Sequence, residues 1–239
     1  MAEHVKPRSN RTLFNMQEMP FSYVEAYKSL RTNLQFAAVD KSVKRLIVTS
    51  SIPGEGKTTV AINLAITLAE TGAKVLLIDC DLRKPSIYRY LQINNKLAGG
   101  LTTILSKKAA IGECTGTLNG LRVDVIPSGP IPPNPAELLT SKRMMELLDT
   151  LSERYEYIVI DTPPVSVVTD AAALSRNSDG VIFVIRQGST KIGNALLAKK
   201  NLESVGAKVI GCVLNAFQAR NSSKAYAYYT YKKGYYAYK

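Results

Sequence analysis

A chain of 239 residues with 46% hydrophobic and 21% charged residues suits one soluble α/β domain and excludes low-complexity or fibrous classes for most of its length. Three widely spaced cysteines (Cys80, Cys114, Cys212) and a single histidine, His4, exclude a disulfide framework, a Cys-x-x-Cys metal site and a histidine-based triad. The formal net charge of +12 points to anionic partners: phosphate, an acidic protein or a membrane surface. With no recognised nucleic-acid module in the chain, no nucleic-acid partner is expected.

The opening MAEHVKPRSNR has no apolar segment behind its charges, so no secretory leader is expected. No apolar run approaches the roughly 20 residues that span a bilayer, which predicts a cytoplasmic protein. Tyr23 to Phe36 reads as an amphipathic helix, with Tyr23, Tyr27, Leu30 and Leu34 along one side and Glu25, Lys28 and Arg31 along another. On pattern alone, the charged stripe is a solvated face with weak internal ion pairs.

Six apolar, β-rich runs follow: RLIVTS (45–50), KVLLID (74–79), RVDVIP (122–127), YIVID (157–161), GVIFVI (180–185) and KVIGCVL (208–214). Their near-continuous hydrophobicity predicts strands covered by helices on both faces. Helical stretches lie between them, such as 58–72, where Val60, Leu64 and Leu68 recur at four-residue spacing and Gly72 supplies a C-cap. Right-handed crossovers then give a single doubly wound, mostly parallel sheet. The predicted organisation is an N-terminal segment and helix (1–40), an α/β domain (41–217) and a tyrosine-rich tail (218–239). Residues 221–239 hold seven tyrosines (Tyr226, Tyr228, Tyr229, Tyr231, Tyr235, Tyr236, Tyr238) and no Val, Ile, Leu, Phe or Met. Such a composition builds no core and predicts disorder.

Ser51-Ile52-Pro53-Gly54-Glu55-Gly56-Lys57-Thr58 follows a predicted strand and opens a predicted helix, the setting of a phosphate-binding loop. The usual pattern starts with Gly where this chain has Ser51. Gly54 and Gly56 let successive amides turn toward phosphate oxygens, and the helix N-terminus adds its dipole. Lys57 is placed to neutralise β- and γ-phosphate charge, and the Thr58 hydroxyl to ligate Mg2+. Glu55 and Thr59 complete the predicted nucleotide contacts. Asp161 closes YIVID and reads as a Walker B magnesium residue. Asp79 and Asp81 close VLLID at alternate positions, so both carboxylates can face the phosphates. Capping of the next helix is the bland alternative for these aspartates. A tyrosine hydroxyl, with a pKa near 10, needs a base at neutral pH. Asp81 is the candidate base and Asp79 a candidate magnesium ligand, and the two roles are exchangeable. Cys80, between them, reads as a small buried residue.

SSIPGEGKTT (50–59), VLLIDCDLRKP (75–85), SGPIPPNPAELL (128–139), YIVIDTPP (157–164) and the tyrosine tail together resemble the bacterial tyrosine kinases of Gram-positive capsule and exopolysaccharide operons. The resemblance implies ATP and Mg2+ as cofactors and autophosphorylation in trans of the tail tyrosines. It further implies protein substrates, a separate transmembrane activator that recruits the kinase to the inner face of the membrane, and a cognate tyrosine phosphatase. The family's E-x-x-R-x-x-R motif, used for ring-shaped homo-oligomers, corresponds to Glu25, Lys28 and Arg31, with Lys in place of the first Arg and without its bidentate fork. Asn215 resembles a position that contacts the nucleotide base. Partitioning and division-site ATPases share the fold, but their signature Lys-Gly pair is replaced here by Ile52-Pro53. The alternatives to a kinase are an ATP-driven assembly switch of that class and a non-catalytic subunit of polysaccharide export.

Overall fold

The computed structural model describes residues 19–37, 43–91, 97–118 and 121–218. Seven strands form one sheet in the order β3-β4-β2-β5-β1-β6-β7: β1 Arg45–Ser50, β2 Val75–Asp79, β3 Gly116–Thr117, β4 Val123–Ile126, β5 Tyr157–Asp161, β6 Gly180–Arg186 and β7 Val209–Asn215. All pairings are parallel except β3 on β4. Every expected strand is present, with ends within one residue. The two-residue β3 was not foreseen, because Gly-Thr carries no apolar run to mark it.

Two apolar cores lie on the two faces of the sheet. Strand β2 is wholly buried, and β1 and β5 are buried beyond their first residues, which explains the absence of polar alternation in their sequences. Helix α2 (Lys57–Ala69) is buried on nearly every side: its inner face meets the sheet, and α1 (Phe21–Ala37) covers the other. Tyr27 and Leu34 of α1 are buried and Leu30 packs on the same core, as their spacing predicts. The α1–α2 contact also carries polar links. Asn63 donates to the Tyr23 hydroxyl at 3.2 Å, and Arg31 donates to the Thr67 carbonyl at 2.7 Å. Helix α2 ends earlier than expected: Glu70 is the C-cap, and Gly72, at φ +92°, turns the chain two residues later.

Shorter helices complete the layers: α3 Ile87–Tyr90, α4 Leu101–Leu105, α5 Pro135–Thr140, α6 Lys142–Ser152, α7 Asp170–Ser175 and α8 Ile192–Ser204. The parallel strands all end on one edge, and that edge carries the conspicuous polar residues. Asp79 and Asp161 are register partners across β2 and β5, and Asp161 is paired with Val48 on β1. Among the described residues, no helix is long and apolar enough to cross a membrane.

Candidate nucleotide and metal site

The loop between β1 and α2 is shaped by Gly54 (φ +86°) and Gly56 (φ +93°), backbone conformations that side chains resist. Gly56 is constrained a second time, since a Cβ there would lie 2.0 Å from Nδ2 of Asn215. That Nδ2 donates to the Glu55 carbonyl at 2.8 Å, so Asn215, at the end of β7, rests on the loop. Gly56 caps α2 without a side-chain acceptor for its first amides, which leaves them available to an anion.

The side chain of Glu55 turns inward and is buried. Its carboxylate accepts the amides of Ser51 (2.7 Å) and Ile52 (3.0 Å), the Ser51 hydroxyl (2.9 Å) and the Thr190 hydroxyl. The departure from Gly at position 51 is thereby explained: the hydroxyl supplies a donor to an internal brace. Only the backbone of Glu55 remains for phosphate. Outside the loop, Arg186 donates to the Gly54 carbonyl at 3.0 Å.

Beneath the loop, the expected polar residues converge. Nζ of Lys57 lies 2.9 Å from Oδ2 of Asp81 and 3.5 Å from Oδ1 of Asp161. The Thr58 hydroxyl donates to Oδ2 of Asp161 at 2.6 Å. Asp79 sits beside them, with Oδ1 accepting the Asp81 amide and Oδ2 accepting the amides of Ser86 and Ile87, each at 3.1 Å. Asp79 is thus held by backbone donors, and both its oxygens are engaged.

Burial alone would lower the pKa of Lys57, but the charges of Asp161 and Asp81 reverse this and raise it, so the ammonium is retained. Burial, reinforced by the negative charge of Asp161, pushes Asp79 up to about 7. Burial also raises Asp161, against the pull of Lys57 and the Thr58 hydrogen bond. Cys80 is fully buried, and burial together with the flanking aspartates drives its thiol pKa far upward. It is an inert filler, as the sequence reading expects.

The donor set fits magnesium bound together with phosphate. The Thr58 hydroxyl and the carboxylates of Asp161, Asp81 and Asp79 are all hard oxygen donors. Among the described residues, no group of three or more His, Cys, Asp or Glu forms a metal cage. A site with few protein ligands is the arrangement Mg2+ uses when phosphates and waters complete its shell.

Four contributors were missed. Arg83 holds the buried carboxylate of Asp170 by two bonds, Nε to Oδ2 at 2.9 Å and Nη2 to Oδ1 at 3.2 Å, tying the loop after β2 to α7. The Ser86 hydroxyl lies 3.0 Å from the Thr58 hydroxyl. Arg186, at the end of β6, and Thr190, just beyond it, also reach the loop. The only forewarning was position, since Arg83 and Ser86 closely follow the Asp79–Asp81 pair.

The Glu25–Lys28–Arg31 stripe has partners within its own subunit. Lys28 pairs with Glu25 at 3.0 Å, and Arg31, besides its bond to Thr67, lies 3.7 Å from Glu70. Thr59 is half-buried beside Lys57 and Thr58, and its carbonyl accepts from Asn63 at 2.6 Å. The tail tyrosines Tyr226, Tyr228, Tyr229, Tyr231, Tyr235, Tyr236 and Tyr238, like His4, lie outside the described residues.

The fold and the loop define a P-loop domain, and a family profile described as "AAA domain" matches residues 44–203. The chain is 41% identical over 222 residues to tyrosine-protein kinase YwqD of Bacillus subtilis, covering 93% of this chain and 92% of that protein. The kinase domain of Escherichia coli tyrosine kinase ETK superposes with a TM-score of 0.83 at 33% identity, covering 93% of this chain and 87% of that one. The chain belongs to the bacterial tyrosine-kinase family. The septum site-determining protein MinD of Pyrococcus horikoshii, solved with Mg-ADP, has a TM-score of 0.62 at 23% identity, covering 76% of this chain and 72% of that one, a likeness of fold alone.

Proposed function

We propose that the chain is an ATP-dependent protein-tyrosine autokinase that transfers the γ-phosphate to tyrosines in the tail of a neighbouring subunit. The observation that carries this reading is the single cluster of Lys57, Thr58, Asp81 and Asp161 beneath a glycine-shaped phosphate loop, in a chain of the tyrosine-kinase family.

The residues divide the work. Amides of the loop and of the start of α2 hold the phosphates. Lys57 supplies a mobile positive charge. Its ammonium pairs with Asp81, and phosphate oxygens compete for it. When Lys57 turns to phosphate, Oδ2 of Asp81 is released while Oδ1 keeps the Lys84 amide at 3.0 Å, and the released oxygen is able to take the proton of an incoming tyrosine hydroxyl. Thr58 and Asp161 offer the oxygens for Mg2+, with Asp79 joining directly or through water. Magnesium, when bound, neutralises charge on the phosphate oxygens. Asn215 lies against the loop on the side proposed for the base.

The proposed acceptors are the seven tail tyrosines, together with other proteins. Extended fully, residues 221–239 span at most about 60–70 Å, enough to reach an adjacent subunit of a homo-oligomer assembled through the Glu25–Lys28–Arg31 helix. A transmembrane activator that recruits the chain to the inner membrane face, a tyrosine phosphatase and control of capsule or exopolysaccharide export belong to this proposal.

Incubation with γ-labelled ATP tests it. Label should be retained on tail tyrosines, be abolished by Lys57→Met, and be largely removed by Tyr→Phe across the tail with nucleotide binding intact. Release of free phosphate with no label on protein would instead identify an ATP-driven assembly switch.

A further inference from the structure

The residues that follow β7, Ala216 to Gln218, are held by three hydrogen bonds. The Gln187 amide donates to the Asn215 carbonyl at 3.0 Å, the Ala216 amide to Oδ1 of Asn215 at 2.8 Å, and the Gln218 amide to Oε1 of Gln187 at 2.6 Å. Ala216 has φ +54°, a left-handed conformation that a side chain resists. The bend is therefore imposed by these bonds rather than chosen by the residue. Both anchors are in turn fixed to the phosphate loop. Nδ2 of Asn215 donates to the Glu55 carbonyl at 2.8 Å. The turn that carries Gln187 is tied to the loop by Nη1 of Arg186, which donates to the Gly54 carbonyl at 3.0 Å, and by the Thr190 hydroxyl, which donates to the Glu55 carboxylate. Loop and chain exit share one scaffold.

We infer that Gln187 is a positioning residue for the phosphate acceptor: its side chain clasps Gln218 and fixes the point and direction from which the tyrosine-bearing segment leaves the subunit. This rests on the autokinase reading above. In that reaction a bond forms from a tyrosine oxygen to Pγ, the bond from Pγ to the β–γ bridging oxygen breaks, ADP departs and the phenolic proton passes to Asp81. Gln187 acts on none of these atoms, only through the chain it holds. With the clasp closed, the linker to each tyrosine is counted from Gln218; with it open, from Asn215. Tyr226 then lies eleven residues out instead of eight, and Tyr238 twenty-three instead of twenty. For the disordered segment that its composition predicts, effective concentration falls roughly as the −3/2 power of linker length. Opening the clasp should therefore dilute Tyr226 about 1.6-fold and Tyr238 only about 1.2-fold. Loss of the fixed direction adds to this, most strongly at the tyrosine nearest the exit.

Site-resolved mass spectrometry after brief incubation of the full chain with Mg-ATP tests this, alongside an added free peptide of residues 221–239 that is separated by size before digestion. Gln187→Ala removes the acceptor of the clasp. Its label at Tyr226 should fall by about 1.6-fold or more, with a smaller fall at Tyr238, while the free peptide is phosphorylated at the parent rate. Gln187→Glu keeps an acceptor oxygen and should behave as the parent. Ala216→Val, a β-branched residue that the left-handed bend disfavours, should reproduce the loss with Gln187 intact. Amide exchange at Gln218 should be slow in the parent and fast in Gln187→Ala. An unchanged or raised share of label at Tyr226 would overturn the inference, as would an equal loss on the free peptide, which marks damage to the site itself. Exchange at Gln218 as fast in the parent as in Gln187→Ala would remove the clasp and leave the kinase reading standing. No label on tail or peptide in a parent whose Gln218 amide is protected would sink the autokinase reading, and this inference with it.

Discussion

Replacing Glu55 by alanine tests whether the phosphate loop is braced from within. Among the described residues, the carboxylate is the sole acceptor for the Ser51 and Ile52 amides, and it also takes the hydroxyls of Ser51 and Thr190. The hydroxyls can rotate to other partners, but the two amides cannot. Leaving a buried donor without an acceptor costs about 1–3 kcal/mol. Ser51 is fully buried and belongs at the upper end, while Ile52 is partly exposed and can recruit water. The sum is about 2–4 kcal/mol, and at about 2–4 °C per kcal/mol for a chain of this size the melting temperature should fall by about 5–15 °C. Glu55→Gln keeps one acceptor oxygen and should lose about half as much. Glu70→Ala is a suitable control, because its 3.7 Å contact with Arg31 is partly solvated and should cost under about 1 kcal/mol. The measurement is calorimetric melting without nucleotide. A Glu55→Ala protein melting within about 1 °C of the parent would show that the loop holds its shape without the brace.

Two further outcomes follow from the same region. Asp79 in the folded chain titrates near 7, whereas an unfolded aspartate near 3.9 is ionised throughout the neutral range. The folded state therefore binds more protons, and unfolding releases them. Melting temperature without metal should fall as pH rises from about 5.5 to 8, and Asp79→Asn should flatten that slope; a parent with no such slope would contradict the burial argument. Arg83 is the cation on the fully buried Asp170 but is itself two-fifths exposed, which reduces the usual cost of breaking a buried pair. Arg83→Met should destabilise by about 1–2 kcal/mol in urea melts, with Arg83→Lys between it and the parent. Adding Asp170→Asn should recover part of the loss, and strict additivity would refute the coupling.

The site was largely legible because its parts sit at fixed offsets from apolar runs. Lys57 and Thr58 follow β1 through the glycine loop, while Asp79 and Asp161 each terminate a buried strand, so strand register alone brings them level. What was not legible depends on side-chain direction or on contacts distant in sequence. Nothing in GEGK states that Glu55 points into the loop rather than toward ligand, or that Thr190, 135 residues later, will meet it. The stripe pattern offers Arg31 partners on α1 alone, yet its carbonyl partner Thr67 belongs to α2, a contact that exists only after α1 folds over that helix. The capping alternative for Asp79 has its bonds in the fold, and the proposed metal role does not compete with it. Asp79 accepts the first amides of α3 and still lies beside the oxygens proposed for the metal.

The position of Asn215 also bears on how an acceptor reaches the site. Because β7 runs parallel to β1, it delivers the chain to the same rim as the phosphate loop, and residues 216–218 leave from there. Under the proposed function, a segment joined after residue 218 would be tethered to its own subunit on that rim, at a local concentration in the millimolar range. Distance therefore does not forbid a subunit from using its own leash. If the proposed transfer to the tail holds, the choice between self and neighbour would come from the angle at which a hydroxyl can approach the phosphate, which makes leash length and stiffness the properties to engineer.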